Sequence, residues 1–259
     1  MARHALITGG SSGIGLAYAQ YLDRHGWQLT LSAQTPVKLN QAQKSLEHPA
    51  DIVPANLALP TGVAEITRHS AVPDLLIANA GITRSAVVGS LSARESSELQ
   101  YLLCGGVIDL VQWAAPVMKQ RGGGRIIIIS SIASETPMPK SAIYASAKAG
   151  ITAFGRSIHR ELKPYGVSVT VSLPGYVKTN IHARAGLQHL TRQVPGWMWL
   201  EASQVVTETE RASLAGREAI IPGWVYRCTR PFLGSGLADR AWRSLTRRRA
   251  TDRDRDPSE

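Results

Sequence analysis

Apolar positions along the chain alternate between short runs and longer stretches of helical spacing. Ala5-Leu6-Ile7 is an apolar run that ends in Gly9-Gly10-Ser11-Ser12-Gly13. Beyond it Ile14, Leu16, Ala17, Ala19, Tyr21 and Leu22 recur at roughly helical spacing until Gly26. The order is strand, glycine turn, helix. Trp27 to Ala33 alternates as a second strand would, and strand signals follow at Ile52-Val53, Leu75 to Ala78, Arg125 to Ser130 and Val167 to Leu173. The spacing predicts a long helix over Leu91 to Gln120, weakened by Gly105-Gly106 and bent by Pro116, and another over Ala142 to Tyr165. Strands and helices thus alternate six times. Parallel neighbours need right-handed crossovers, so the pattern predicts an α/β fold: a doubly wound parallel sheet of the Rossmann kind, in a single domain over residues 1–249. The rhythm fails from His182 to Ile220, where Pro195-Gly196-Trp197-Met198-Trp199 reads as an apolar, mobile cover, and a substrate lid is expected around 182–215.

Length and composition narrow the classes. At 259 residues and 44% hydrophobic, the chain can bury one generous core. No window holds the roughly 18 uninterrupted apolar residues of a membrane span. No apolar segment with a cleavage site precedes Thr8, so a cytoplasmic location is expected. Cys104 and Cys228 are too few for a disulfide framework or a zinc site, and both read as small buried hydrophobes. The histidines show no metal-ligand spacing, so no metal is expected; His182, leading into the lid, is the one that could face substrate.

The net charge of +10 is concentrated near the end of the chain. Seven arginines against one acid lie between residues 225 and 249, interleaved with Phe232, Leu233, Trp242 and Leu245. Such a stretch suits a membrane surface or a partner subunit, but Pro231 and Gly234-Ser235-Gly236 interrupt any continuous helix, so peripheral membrane contact is not favoured. No recognised reading module accompanies the charge, and nucleic acid is not expected as a partner. Residues 250–259 hold nothing to bury and read as a disordered, charged tail.

Candidate chemistry begins at the first turn. Glycines at positions 9, 10, 13 and 15 let the backbone approach a pyrophosphate at the positive end of the following helix. Tyr144 and Lys148 stand four residues apart on one helical face, a pairing that alone decides little. Ser131 ends the strongest strand, thirteen residues before Tyr144. Ligands in open α/β sheets sit beyond the carboxyl ends of the strands, so the glycine turn, Ser131 and the Tyr144–Lys148 pair are expected to converge on one cleft.

Taken together, Thr8 to Gly15, Asn79-Ala80-Gly81, Ser131, Tyr144-x-x-x-Lys148 and Pro174-Gly175 followed by Thr179 resemble the short-chain dehydrogenase/reductase family over residues 3 to about 180. The resemblance implies an oxidoreductase interconverting a ketone and a secondary alcohol with a nicotinamide cofactor. It implies Tyr144 as general acid or base, its phenol acidified by the Lys148 ammonium, and Ser131 as the hydrogen-bond donor that orients the substrate oxygen. It further implies that Gly9, Ser11, Ser12, Gly13, Ile14 and Gly15 cradle the cofactor, with Lys148 on the nicotinamide ribose beside Tyr144. Asn79, Ala80 and Gly81 would pass behind the adenosine side, with Asn56 and Leu57 against the adenine. Pro174, Gly175, Val177 and Thr179 would close over the nicotinamide amide and phosphates. Family members commonly assemble through their two longest helices, so a homodimer or homotetramer is expected.

Three positions depart from the family pattern. Leu103 stands where many members have an asparagine that anchors a water in a proton relay to the lysine. Asn56 replaces a common aspartate. At the end of the second strand Ala33 and Gln34 replace both the acid that would select NAD and the base that would select NADP. Absence of the acid favours NADP(H), with Gln34, Ser12 and Lys38 near its 2′-phosphate, and NAD stays the alternative. The apolar lid favours a hydrophobic carbonyl substrate of fatty-acyl, polyketide, steroid or terpenoid type. Leu103 keeps two other readings open: a nucleotide-binding regulatory or structural protein without redox turnover, and an enzyme repurposed for a non-redox cyclisation or isomerisation.

Overall fold

A computed structural model of the chain describes residues 3–179 and 194–229. Seven strands run in the order β3-β2-β1-β4-β5-β6-β7, every neighbouring pair parallel. They are β1 (His4–Thr8), β2 (Gln28–Ala33), β3 (Asp51–Pro54), β4 (Leu75–Ala78), β5 (Gly124–Ile129), β6 (Val167–Ser172) and β7 (Ala219–Ile220). Six match the expected strands. The two-residue β7 is too short to carry a periodicity and escapes sequence reading.

Helices α1 (Gly13–Asp23), α2 (Pro36–Lys44) and α3 (Pro60–His69) connect the first four strands. After β4 come α4 (Ala93–Gln100), a five-residue π-helical turn (Tyr101–Gly105) and α5 (Gly106–Gln120). The single long helix expected over 91–120 is therefore a composite. It starts at a capping box, where the Ser92 hydroxyl accepts from the Glu95 N–H and Glu95 bonds back to the Ser92 N–H. It widens at the glycine pair. Among the described residues, Ala93–Gln120 alone is long and apolar enough to match a membrane span, yet its Leu110, Val111, Ala114 and Met118 are buried in the sheet core. Helix α6 (Ala142–Leu162) leads to β6.

Because consecutive strand residues face opposite sides, the apolar runs divide between two cores. Leu6, Leu76, Ile126 and Ile128 pack beneath α3, α5 and α6, whereas Ala5, Ile7, Leu75, Ile77, Ile127 and Ile129 pack beneath α1 and α2. Strands buried on both faces read as continuous runs, and Ile126 to Ile129 is the clearest example.

The expected lid needs correction. Residues 180–193, including His182, lie outside the described residues, but Ala202–Leu214 forms α7, a packed helix and not a cover. Its Val205, Val206, Thr209 and Glu210 are buried, and the Glu210 carboxylate pairs with Arg125 of β5 at 2.7 Å. Pattern reading missed α7 because buried Glu210, Thr209 and Ser213 break its apolar face.

The cysteines also differ from expectation. Cys104 is only half-buried and Cys228, in the short helix α8 (Trp224–Thr229), is exposed. Trp197 and Trp224 are exposed, while Trp199 packs on Tyr176 with ring centroids 5.4 Å apart. Residues 230–249, most of the basic stretch, and the tail lie outside the described residues.

Candidate active site

The strand order reverses between β1 and β4, and a cleft of about 370 Å³ opens beyond the carboxyl ends of the strands at that point. Its walls follow the sheet. From the β2 and β3 side come Ala33, Gln34, Thr35, Lys38, Asn56 and Leu57; from β1 and β4 come Gly9, Ser11, Ser12, Gly13, Ile14, Asn79, Ala80 and Gly81. Ser131, Tyr144, Lys148, Pro174, Val177 and Thr179 complete it on the β5 and β6 side.

The glycine turn is bolted to β4 by a threonine and an asparagine. The Thr8 hydroxyl accepts from the Asn79 and Ala80 backbone N–H groups at 2.9 and 3.0 Å, and the Asn79 side-chain amide donates to the Thr8 carbonyl at 2.9 Å. Asn79 thus holds the turn in place as well as lining the cleft. Gly9 sits at φ +66°, and a Cβ there would lie 2.9 Å from the Ala80 Cα, so no larger residue fits.

Two residues expected around the cofactor do not line the cleft. Gly15 packs helix α1 against the turn, where a Cβ would come within 2.3 Å of the Gly9 carbonyl oxygen. Gly175 lies under the Tyr226 ring of α8, which would be 2.0 Å from such a Cβ. The Tyr226 hydroxyl accepts from the Tyr176 N–H at 2.9 Å and donates to the Met198 carbonyl at 2.6 Å, joining three segments behind the cleft. Tyr226 carried no sequence signal, since its contacts are made across 50 residues.

At the β5 end, the Ser131 hydroxyl favours the Tyr144 phenolate, and the Lys148 ammonium lies 6.0 Å from the Tyr144 ring. Lys148 is buried and donates to the Ile129 carbonyl at 2.8 Å. Burial holds its pKa down to about 8. Burial raises the Tyr144 phenol pKa, opposed by the neighbouring Ser131 hydroxyl.

Leu103 is 1% exposed and packs with Leu99 and Ala147, while Leu91, Cys104, Ile143 and Tyr144 border the cluster. The position is rebuilt as apolar packing. Leu103→Asn is expected to cost about 3 kcal/mol by lost packing and an unpaired amide, with no gain in turnover. Urea denaturation and steady-state rates check this, and a faster variant would show that the amide restores a proton path. At the other departure, Asn56 is partly engaged locally, its side-chain oxygen accepting from the Ala58 N–H at 3.2 Å. Sequence reading missed Glu98 and Leu102, which line the cleft from the composite helix. No cluster of metal-ligating side chains occurs among the described residues.

A doubly wound parallel sheet with a glycine turn at its switch point, and a Ser–Tyr–Lys group beside it, defines a dinucleotide-dependent oxidoreductase of the α/β class. Residues 3–189 match the short chain dehydrogenase family. The chain is 32% identical over 181 residues to a 3-oxoacyl-(acyl-carrier-protein) reductase of Mycobacterium avium, covering 70% of this chain and 69% of the relative. It is 29% identical to a gluconate 5-dehydrogenase of Gluconobacter oxydans, over 78% of this chain and 84% of that one. A solved short-chain dehydrogenase from Sphingobium yanoikuyae in complex with NADPH superposes with a TM-score of 0.79 at 27% identity, covering 98% of this chain and 100% of the other. The chain belongs to the short-chain dehydrogenase family and is an NAD(P)-dependent dehydrogenase or reductase.

Proposed function

We propose that the protein uses NADP(H) to interconvert a ketone and a secondary alcohol on a hydrophobic substrate. One observation carries the reading: Ser131, Tyr144 and Lys148 line the same cleft as the glycine turn and the acid-free end of β2. The cleft suits the cofactor in size and in charge, with Lys38 beside Gln34 and Thr35 and no carboxylate at the end of β2. Gly9, Ser11, Ser12, Gly13 and Ile14 would hold the pyrophosphate, Asn56 and Leu57 the adenine, and Lys148, Val177 and Thr179 the nicotinamide half. Bound NADPH would supply the hydride. Ser131 orients the carbonyl oxygen, Tyr144 delivers the proton to it, and Lys148 keeps positive charge near the phenol as that proton leaves.

The apolar cluster of Leu99, Leu103 and Ala147 against Tyr144 supports a hydrophobic substrate, as does the NADPH complex of the Sphingobium relative for the cofactor. The 3-oxoacyl group named for the Mycobacterium relative's substrate is a ketone of the class proposed. Family habit supports a homodimer or homotetramer, and the scarcity of cysteine supports a cytoplasmic location.

Titration with NADPH and, separately, NADH tests the reading, following tryptophan quenching and energy transfer to the reduced nicotinamide. Tight NADPH binding followed by its oxidation with apolar ketones is expected; no binding of either by folded protein would end the redox reading. Reduction is also expected to slow as pH rises through about 8. Lys148 is charged below its lowered pKa and neutral above it, so the ammonium is lost there and not near 10. A pH–rate profile that stays flat well above that point would remove the lysine's charge from the mechanism.

A further inference from the structure

Helix α6 carries more than the Tyr144–Lys148 pair. Tyr144, Lys148, Thr152 and Arg156 follow one another at four-residue intervals and so form one stripe along it. Three of the four grip the chain on either side of Ser131. Before Ser131, the Lys148 ammonium donates to the Ile129 carbonyl at 2.8 Å. Next to it, the Ser130 hydroxyl donates to the Lys148 carbonyl at 3.1 Å, which leaves it accepting from Thr152 at 2.6 Å; both hydroxyls are buried. Beyond Ser131, Arg156 donates to the Glu135 carboxylate at 2.9 Å.

The segment between these grips is one tight unit. The Ser131 carbonyl accepts from the Ser134 N–H at 3.0 Å and its hydroxyl at 2.7 Å, the Ser131 hydroxyl accepts from the Ala133 N–H at 3.2 Å, and the Glu135 N–H closes on Ile132 at 3.0 Å. A force on Glu135 is therefore transmitted to Ser131 through a turn with little freedom. Arg156 is itself held on its other side by Glu218, 3.9 Å away, which Arg160 also meets at 3.4 Å.

We propose that Arg156, acting through Glu135, and Thr152, acting through Ser130, are positioning residues that hold the Ser131 hydroxyl toward Tyr144. The inference rests on the functional reading above and extends it to residues that line no part of the cleft. A half-buried ion pair adds little to overall stability, but holding one end of a five-residue turn fixes a hydroxyl whose placement matters to within an ångström.

The test compares Arg156→Met, Arg156→Lys, Glu135→Gln and Thr152→Val with the unaltered protein. Arg156→Met and Glu135→Gln are expected to lower kcat roughly tenfold or more while leaving NADPH affinity unchanged, and Arg156→Lys to restore most of the loss. Thr152→Val is expected to lower kcat in the same way. A second readout needs no turnover: the tyrosinate absorbance of Tyr144, taken as the difference from Tyr144→Phe. Loosening Ser131 weakens its donation to the phenolate, so Tyr144 is expected to ionise at higher pH in Arg156→Met and Glu135→Gln. Lys148 and Glu98, which line the cleft with Tyr144, and Cys104, which borders the same apolar cluster, are unchanged in these variants. If Arg156→Met does not fold, Glu135→Gln carries the same comparison. Unchanged kcat together with unchanged Tyr144 ionisation would overturn the proposal. Absence of ketone reduction in the unaltered protein would instead overturn the functional reading, and the ionisation measurement would still decide the role of the grip.

Discussion

Tyr144→Phe is expected to lower kcat/KM for carbonyl reduction by about 10³-fold, equivalent to some 4 kcal/mol of transition-state stabilisation, while NADPH affinity stays nearly unchanged. The ring borders an apolar cluster of Leu99, Leu103 and Ala147 that a phenyl group fills equally well. What disappears is the hydroxyl that would deliver the proton. The alternative proton donors within the same end of the cleft are poor substitutes. Ser131 is an alcohol, and Lys148 already donates to the Ile129 carbonyl. Stopped-flow NADPH oxidation with an apolar ketone checks the first half of the expectation, and energy transfer to bound NADPH checks the second. Undiminished turnover would move the acid to another group.

The second large effect is expected at Ala33, the last residue of β2 and part of the cleft wall. Ala33→Asp is expected to weaken NADPH about 100-fold, or some 2.7 kcal/mol, and to leave NADH unchanged or bound more tightly. A carboxylate there would face the 2′-phosphate of NADPH across a few ångströms, where like charges repel by several kcal/mol, but it would accept hydrogen bonds from the free ribose hydroxyls of NADH. The backbone tolerates the change, since Ala33 contributes its carbonyl to the Ala55 N–H at 3.0 Å and is not fully buried. Parallel titrations with both cofactors check it. Equal losses for the two would place the phosphate away from Gln34, Thr35 and Lys38.

Much of the architecture was legible in the sequence because its signals are local. Strand runs such as Ile126 to Ile129, the glycine turn after Ile7 and the helical face that carries Tyr144 and Lys148 are each set by residues close together in the chain. Convergence of those pieces followed from a topological rule, since parallel strands deliver all their carboxyl ends to one edge of the sheet. Gly9, Asn79, Ser131, Tyr144 and Lys148, far apart in the chain, line one cleft accordingly.

Other features depend on contacts between distant segments. Gly15 and Gly175 are each held small by another part of the chain: the Gly9 carbonyl in one case, the Tyr226 ring in the other. Helix α7 was hidden because its buried Glu210 is compensated by Arg125, eighty-five residues earlier, so a polar residue stands where pattern reading demands an apolar one. The ionisation of Tyr144 and Lys148 followed burial, which no neighbouring residue in the sequence reports. By itself the sequence determined six of the seven described strands, the turn and the chemical groups, because backbone propensity and residue identity are local properties. Only the tertiary structure decided which glycines face the cleft, how far water is kept from the tyrosine and what holds Ser131, because desolvation and packing depend on atoms that the chain brings together from far apart.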